Sequence, residues 1–388
     1  MDKRVYMLTI IAFVVGMSEL IVSGILDLIA AGLDIRISTA GLLITVFAVF
    51  YGISAPILLV IFAKVDRKKL ILVSLIIFFL GNVLAIFSIN FAMLLIARII
   101  SAVSGSVATV LSINLASRIV EPAYRGRAIG LVVMGISASL VFGLPIGVFL
   151  GNIFNWRTPF IAIALFAILL FVLTYRMVGN IKPTQVVTLR EQIFTLKNAR
   201  ILFAHLTTFF FLAGHLTLNG YLTPYAKEML NFDGMMISIM YLIFGIAAVS
   251  GSGFAGISAD RFGVRKTLVT VIFVLALSLF LIPYTTNLHI VFWVVLVVWG
   301  VVSWGITPPV QSHLFTIATE TSDIQQSLNN AALHLGIAFG TLFGGFVIEK
   351  SSLEALPHFG LVFVVLAFIA AMITTRVPKE KSTTVSSS

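Results

Sequence analysis

Nearly the whole chain divides into apolar stretches of about 20 residues separated by short polar turns, and few folds accept such a pattern. A helix of roughly 20 residues spans the hydrocarbon of a bilayer, and in lipid only helices or closed barrels satisfy their own backbone groups. Twelve spans are predicted, at 5–30, 38–63, 70–89, 91–117, 127–151, 157–178, 201–229, 234–258, 267–286, 288–316, 325–349 and 357–376. Several exceed the minimum length, which means tilt or protrusion. With 60% hydrophobic residues, 33 Phe and 10% charged residues, the chain cannot cover a soluble globule with polar surface. The first span follows Asp2, Lys3 and Arg4, which raises a secretory signal as the rival reading. It is too long for a signal core, and further spans follow.

Charge placement predicts the orientation. An N-terminus in the cytoplasm puts Lys64, Arg67, Lys68, Lys69, Arg118, Arg125, Arg127, Arg176, Lys182, Arg190, Lys197, Arg200, Arg261, Arg265 and Lys266 in inside loops. Only Arg36, Arg157, Lys227 and Lys350 fall outside, the asymmetry of the positive-inside rule, with both termini cytoplasmic. The net charge of +10 then reflects topology and anionic headgroups, and no nucleic-acid partner is expected. The connection at 179–200 divides the chain into bundles 1–178 and 201–376, followed by a tail at 377–388 that reads as disordered from Ser382. Its run from Thr188 to Leu196 is a candidate amphipathic helix on the membrane surface. Cysteine is absent, which excludes disulfides and thiolate metal sites. No metal, cofactor or catalytic constellation is expected, and the absence of a Walker motif argues against ATP-driven pumping.

Against this background the polar residues at bilayer depth are the informative ones. Glu19 lies near the middle of the first span, and Ser23 and Asp27 follow at steps of four, on one helix face. A carboxyl group beside a wet cavity can bind and release a proton; Glu19 is the candidate proton-coupling residue, with a structural hydrogen bond as the plainer alternative. Asp27 lies close enough to the outer end to be simply solvated. Arg98 falls inside the fourth span above Ser101, Gly105, Thr109 and Ser112, and is either the counter-ion of Glu19 or a side chain that snorkels to the helix end.

The second half supplies amides and imidazoles. His205, Thr208, His215 and Asn219 are read on one side of the seventh span, and Gln326, Asn330 and His334 follow at steps of four in the eleventh beside Asn329. Neutral donors and acceptors suit a substrate with hydrogen-bonding edges. Trp299, Trp304 and Gln311 in the tenth span either add stacking surfaces or pack against helices and lipid.

One loop carries a resemblance. Gly256, Asp260, Arg261, Gly263, Arg265 and Lys266 match the loop between spans eight and nine of the major facilitator superfamily. Glycines there permit a tight turn, Asp260 can cap the next helix or pair across the interface, and the arginines reach neighbouring helix ends. The resemblance implies an inner latch. The first-half copy, Ala63 to Leu70, has Ala63 where the family has Asp, so a latch in that half is expected to be weaker or differently built. Arg98 is similar to the family's fourth-helix arginine, and Gly143, Pro145 and Gly147 resemble the fifth-span motif of its exporters. Glu19 with the later Gly24-Ile-Leu, and Asn155-Trp-Arg, resemble the twelve-span drug:proton antiporter group, which holds sugar, chloramphenicol and purine efflux proteins. Within it, Ala213-Gly-His-Leu-Thr-Leu and Asp323-Ile-Gln-Gln-Ser-Leu-Asn look most similar to purine base and nucleoside efflux pumps.

The resemblance implies an all-α integral membrane fold of twelve transmembrane helices in two pseudo-symmetric six-helix bundles, each an inverted repeat, with a central site and rocking halves. The expected function is proton-coupled efflux of a small organic solute, with purine bases and nucleosides as the candidate cargo, across a bacterial cytoplasmic membrane by a monomer. The alternatives are drug or sugar efflux by the same mechanism, an uptake carrier or facilitator, and a transport-dead sensor.

Overall fold

The computed structural model describes residues 2–179 and 189–376. Among them every regular element is helical, and twelve helices are long and apolar enough to cross a membrane. We number these α1 (Lys3–Gly24), α2 (Ile37–Ile61), α3 (Arg67–Ile86), α4 (Phe91–Ile119), α5 (Arg125–Ile153), α6 (Thr158–Met177), α7 (Ala199–Asn219), α8 (Gly234–Phe262), α9 (Val264–Thr285), α10 (His289–Ile317), α11 (Ile324–Lys350) and α12 (Leu356–Arg376). Each predicted span corresponds to one of them. The tail at 377–388, with Ser382, and linker residues 180–188, with Lys182 and Thr188, lie outside the described residues.

The helix starts follow local chemistry. Asp2, Asp66, Asn90, Asn198 and Asp233 each accept a backbone N–H of the following first turn with a side-chain oxygen, satisfying a donor that the helix leaves orphaned. Some helices run past the predicted span ends: α3 begins at Arg67 behind its Asp66 cap, and α8 continues through Phe262 until Gly263 turns the chain. Charged residues end a hydropathy run without ending the hydrogen-bond ladder.

Three predicted spans are broken instead of continuous, α10 between Ser303 and Thr307 and two others at matched places. α1 ends at Gly24, and after Ile25 the chain resumes as a short helix, Leu26–Gly32. α7 ends at Asn219, and after Gly220 and Tyr221 it resumes as Leu222–Leu230, closed by Asn231 in the left-handed conformation at φ 54°. The breaks in α1 and α7 occupy equivalent places in the two halves. In α5, Ser139–Gly143 winds as a π turn immediately before Pro145, the adjustment a ring without an N–H calls for inside a helix.

Packing repeats with the same symmetry. α1 packs on α5 and α6 as α7 packs on α11 and α12; α2 packs on α4 as α8 packs on α10; α3 packs on α6 as α9 packs on α12. The seam between halves is likewise a matched pair, α2 against α11 and α8 against α5. At the second of these the backbones nearly touch: a Cβ on Gly245 of α8 would sit 2.6 Å from the Leu140 carbonyl oxygen. Large exposed apolar side chains such as Leu165, Phe254, Phe273 and Val294 provide the lipid-facing surface. The described part of the linker contains a helix at Leu189–Phe194 with Ile193 and Phe194 exposed, and Lys197 Nζ lies 4.5 Å above the Phe194 ring.

Candidate functional site

The two ends of the seam differ. With an even number of spans both described chain ends, residues 2 and 376, lie on one face, the terminal face. At the opposite face the halves are fastened together. Lys227 Nζ donates to Asp27 Oδ2 at 2.6 Å, and Thr223 Oγ1 donates to the Gly24 carbonyl at 3.1 Å. Tyr241 Oη lies 3.0 Å from Thr223 Oγ1 and donates to the Ser23 carbonyl at 3.4 Å. Ser38 Oγ donates to Glu349 Oε1 at 2.8 Å, with Arg36 at 3.7 Å from the same oxygen. Toward the terminal face the seam opens. His334 of α11 packs on the first half, yet Asn330 and Gln326, one and two turns further along the same face, are exposed.

Glu19 and His334 sit at this transition. Glu19 Oε1 is 3.3 Å from His334 Nε2, joining α1 to α11 across the seam, with side chains 17% and 6% exposed. His334 Nδ1 lies 2.8 Å from the Asn330 carbonyl oxygen. A carbonyl only accepts, so Nδ1 carries a hydrogen. Nε2 then either bears a second proton directed at the carboxylate or accepts from a protonated carboxyl group. Both arrangements hold one proton between the two side chains. Without it, two lone-pair atoms face each other, and the attraction across the seam is lost.

Around the pair runs a ring stack. His334 lies on Tyr51 at 4.6 Å between centroids, Tyr51 lies on Phe47 at 5.7 Å, and the Arg98 guanidinium carbon sits 4.0 Å from the Phe47 ring centre. Ser106 Oγ donates to the Tyr51 carbonyl at 2.6 Å and ties this part of α2 to α4. Arg98 is fully buried, so it does not snorkel. It also differs from the expected counter-ion of Glu19. Its Nη1 donates to the Ser18 carbonyl at 2.7 Å and its Nη2 to the Glu19 carbonyl at 3.5 Å, while the Glu19 carboxyl group pairs with His334. The reason is angular: successive residues point about 100° apart on a helix, so α4 meets α1 at the Ser18 side and the Glu19 side chain turns to α11.

The remaining sequence-predicted residues are not gathered into one lining. His205 Nε2 lies 3.0 Å from Gln325 Oε1, and Asn329 Nδ2 donates to Thr208 Oγ1 at 2.9 Å, so this end of α7 is bound to α11. His215 accepts at Nδ1 from Trp299 Nε1 at 2.9 Å, with both residues buried inside the second half. Trp299 therefore packs instead of offering an open stacking face. Trp304 marks the break between the two helical parts of α10. Asn219 ends α7 and is half-buried. Asp27 is paired with Lys227, not simply solvated; the signal for that latch was opposite charge at equivalent places after the breaks in α1 and α7.

The motif residues divide similarly. Gly143 and Gly147 face Met17 and Ile21 of α1 without room for a side chain, so α1 and α5 approach closely beside Pro145. In the loop between α8 and α9, Gly263 adopts φ 86°, a conformation glycine tolerates, and turns the chain. Gly256 meets only Pro308 Cβ, at 3.7 Å. Asp260 lies in the last turn of α8, exposed and without a hydrogen bond among the described residues, and Gly263 occupies the cap position of α9. Asp260 therefore neither caps α9 nor pairs across the interface. Arg261 and Arg265 are exposed, Arg261 lying 5.3 Å over the Phe262 ring. In the first half, by contrast, Asp66 caps α3 and Arg67 is buried with Nη2 3.5 Å from the Ala63 carbonyl. The loop with the poorer match is the more engaged one here.

Comparisons with known proteins place this geometry. The chain is 35% identical over 370 residues to the uncharacterized MFS-type transporter YbcL of Bacillus subtilis (strain 168), covering 95% of each chain. It is 26% identical to a probable sugar efflux transporter of Helicobacter pylori (strain P12), covering 94% of this chain and 93% of that one. Among solved structures, a bacterial homologue of the human lysosomal transporter Spinster, in an inward-facing and occupied conformation, superposes with a TM-score of 0.80 at 16% identity over 96% of each chain. A D-xylose-proton symporter superposes with a TM-score of 0.79 at 16% identity, over 97% of this chain and 98% of that one. A family model described as Major Facilitator Superfamily matches residues 8–324. The chain is a multi-pass membrane protein that belongs to the Major Facilitator Superfamily.

Proposed function

We propose that this transporter is a proton-coupled exporter of a small polar organic solute, working as a monomer in a bacterial cytoplasmic membrane with its terminal face in the cytoplasm. The observation that carries the reading is the Glu19–His334 contact of 3.3 Å across the seam, at the depth where the halves begin to part. A proton held there attracts the two halves; its departure removes that attraction. Proton occupancy is thereby linked to the position of bundle 1–178 relative to bundle 201–376.

The cycle follows from this linkage. In the present arrangement the Asp27–Lys227 latch closes the outer face, and Glu19 is partly exposed toward the cytoplasmic opening. The proton leaves to the cytoplasm as substrate enters between the halves. The halves then rock, the outer latch opens, and substrate departs outward while Glu19 is reprotonated from outside. Arg98 holds the α1 backbone at Ser18 and Glu19 and so positions the carboxyl group. Gly143, Pro145 and Gly147 keep α1 and α5 in close contact, which seals the first half against leak. The loop at Gly256, Asp260, Arg261, Gly263 and Arg265 is free to engage the other half's inner end when the cytoplasmic side closes.

Relatives named probable sugar efflux transporters put small polyhydroxy solutes first as cargo. The exposed amides of Gln326 and Asn330 on the opening favour nucleobases as the second class. The test is counterflow of labelled D-xylose, D-glucose and adenine in proteoliposomes with a pH-sensitive dye in the lumen. Solute moving one way with protons moving the other supports the reading. Exchange without net proton movement contradicts coupling, and no exchange with any of the three contradicts this cargo class.

A further inference from the structure

We infer that His215 and Asn219 form a two-donor anchor for the transported solute, held in its donor form by Trp299. The inference rests on the transport reading above and narrows its substrate. It starts from hydrogen-bond arithmetic at one ring. Trp299 Nε1 has a hydrogen and no lone pair available, so the 2.9 Å contact makes His215 Nδ1 the acceptor. A neutral imidazole with Nδ1 unprotonated carries its hydrogen on Nε2. That hydrogen has no acceptor among the described residues.

The ring is held where it is. Phe244 lies parallel to it at 6.1 Å with 5° between planes, and Trp299 meets both rings edge-on at 5.4 and 5.1 Å. Turning the imidazole over would set Cδ2–H against Trp299 Nε1, and moving the hydrogen to Nδ1 would set two N–H groups facing each other; either loses the Trp299 bond. One turn further along α7, Asn219 Nδ2 is also buried without a partner. Residues four apart share a helix face, so the His215 Nε2 hydrogen and the orphaned Asn219 amide lie side by side. A buried donor left unpaired costs about 1–3 kcal/mol, which makes Asn219 Nδ2 a costly arrangement unless a ligand accepts from it.

Their place in the fold points to the same use. The next position on this side of the chain, Thr223, donates to the Gly24 carbonyl of the first half. Tyr241, one turn before Phe244 on α8, reaches Thr223 and the Ser23 carbonyl. The donor pair therefore lies next to the closed seam, on the chain segment that leads into it. Two donors recognise a pair of acceptors on a neutral or anionic solute: hydroxyl, carbonyl or ring nitrogen. His215, with Nδ1 taken by Trp299, offers a cationic amine no acceptor. The anchor therefore selects sugars or nucleobases over cationic drugs, and His215, committed to Trp299, has no part in moving protons.

The full chain, labelled with 15N in its imidazole rings and purified in detergent, tests this directly at neutral pH. His215 is identified by the resonance missing from His215→Gln. The expected spectrum has Nε2 bearing the hydrogen and Nδ1 shifted as an acceptor, and Trp299→Phe abolishes the second feature. Saturating D-xylose or adenine should shift the Nε2–H signal, while tetraphenylphosphonium should not. In counterflow, Asn219→Ala should raise KM for the responding solute about tenfold and leave protons moved per solute unchanged. An Nδ1–H tautomer, an imidazolium, no shift with either neutral probe, or unchanged KM in Asn219→Ala overturns the anchor. A shift without proton movement leaves the anchor standing and sinks the coupling instead.

Discussion

His334 and His215 lie in adjacent helices of the same half, and their ring nitrogens are committed in opposite ways. His334 gives its Nδ1 hydrogen to the Asn330 carbonyl and turns Nε2 to a carboxyl group on the other half. His215 accepts at Nδ1 from Trp299 and turns an N–H toward the interior. On the proposed reading the first arrangement holds a proton across a moving seam, and the second is a fixed donor inside the second half. Residue type alone does not separate these roles. The partner of the other nitrogen does.

The comparison breaks most easily at the seam. His334→Gln removes the nitrogen that shares the proton, and accumulation driven by a pH gradient should fall to background while solute counterflow survives. His215→Gln should do the reverse, weakening solute binding with proton movement per solute intact. Measuring both fluxes in the two variants separates the roles, and identical phenotypes would merge them.

The latch sharpens the same contrast from the opposite face. Lys227→Met strands Asp27, an ion pair intermediate between exposed and buried, and should shift the balance toward the outward-open form by about 2 kcal/mol, or roughly 30-fold. Pulsed electron resonance between spin labels on the two outer ends reads the shift. The exchange of Asp27→Lys with Lys227→Asp should restore the closed distance.

Packing comes next. Gly147→Leu drives a side chain into Ile21 and should lower stability by about 1–3 kcal/mol in thermal unfolding, whereas Gly256→Ala, in a helix with only Pro308 Cβ nearby, should not lower it. The smallest effect belongs to the cap at the chain start. Asp2 accepts from the side chain and backbone of Arg4, which holds its carboxyl group below the ordinary value of 3.8. A depressed value stabilises the fold above the ordinary carboxylate range, and the contribution fades as pH falls through the lowered value. Asp2→Ala should cost about 1 kcal/mol at neutral pH and nothing in strong acid, measured by thermal unfolding at both.

Much of the fold was legible because bilayer thickness imposes one length on every span, and hydropathy reports that length directly. Helix ends were less legible, since α3 starts early behind Asp66 and α8 runs on through Asp260 and Arg261, charged sequence where a hydropathy window stops. The breaks after Gly24 and Gly220 were hidden inside apolar runs for the same reason. At the site, Glu19, Arg98 and His334 stood out as polar groups at apolar depth, but their partners did not. Whether Glu19 meets Arg98 or His334 depends on a rotation of about 100° around α1, and spacing within one helix says nothing of which neighbour stands there. The partners of the α7 residues were hidden in the same way, with His205 bonded to α11 and His215 to α10. The Asp27–Lys227 latch joins residues far apart in the chain, and only the folded halves bring them together.

The central claim is that the Glu19–His334 contact carries the transported proton. It is tested most directly by recording solute and proton movement together in proteoliposomes containing Glu19→Gln. A glutamine keeps the size and hydrogen-bonding shape of the side chain and cannot exchange a proton. The account predicts that solute counterflow persists while solute-driven proton movement disappears. Proton movement per solute equal to that of the unaltered protein would contradict it.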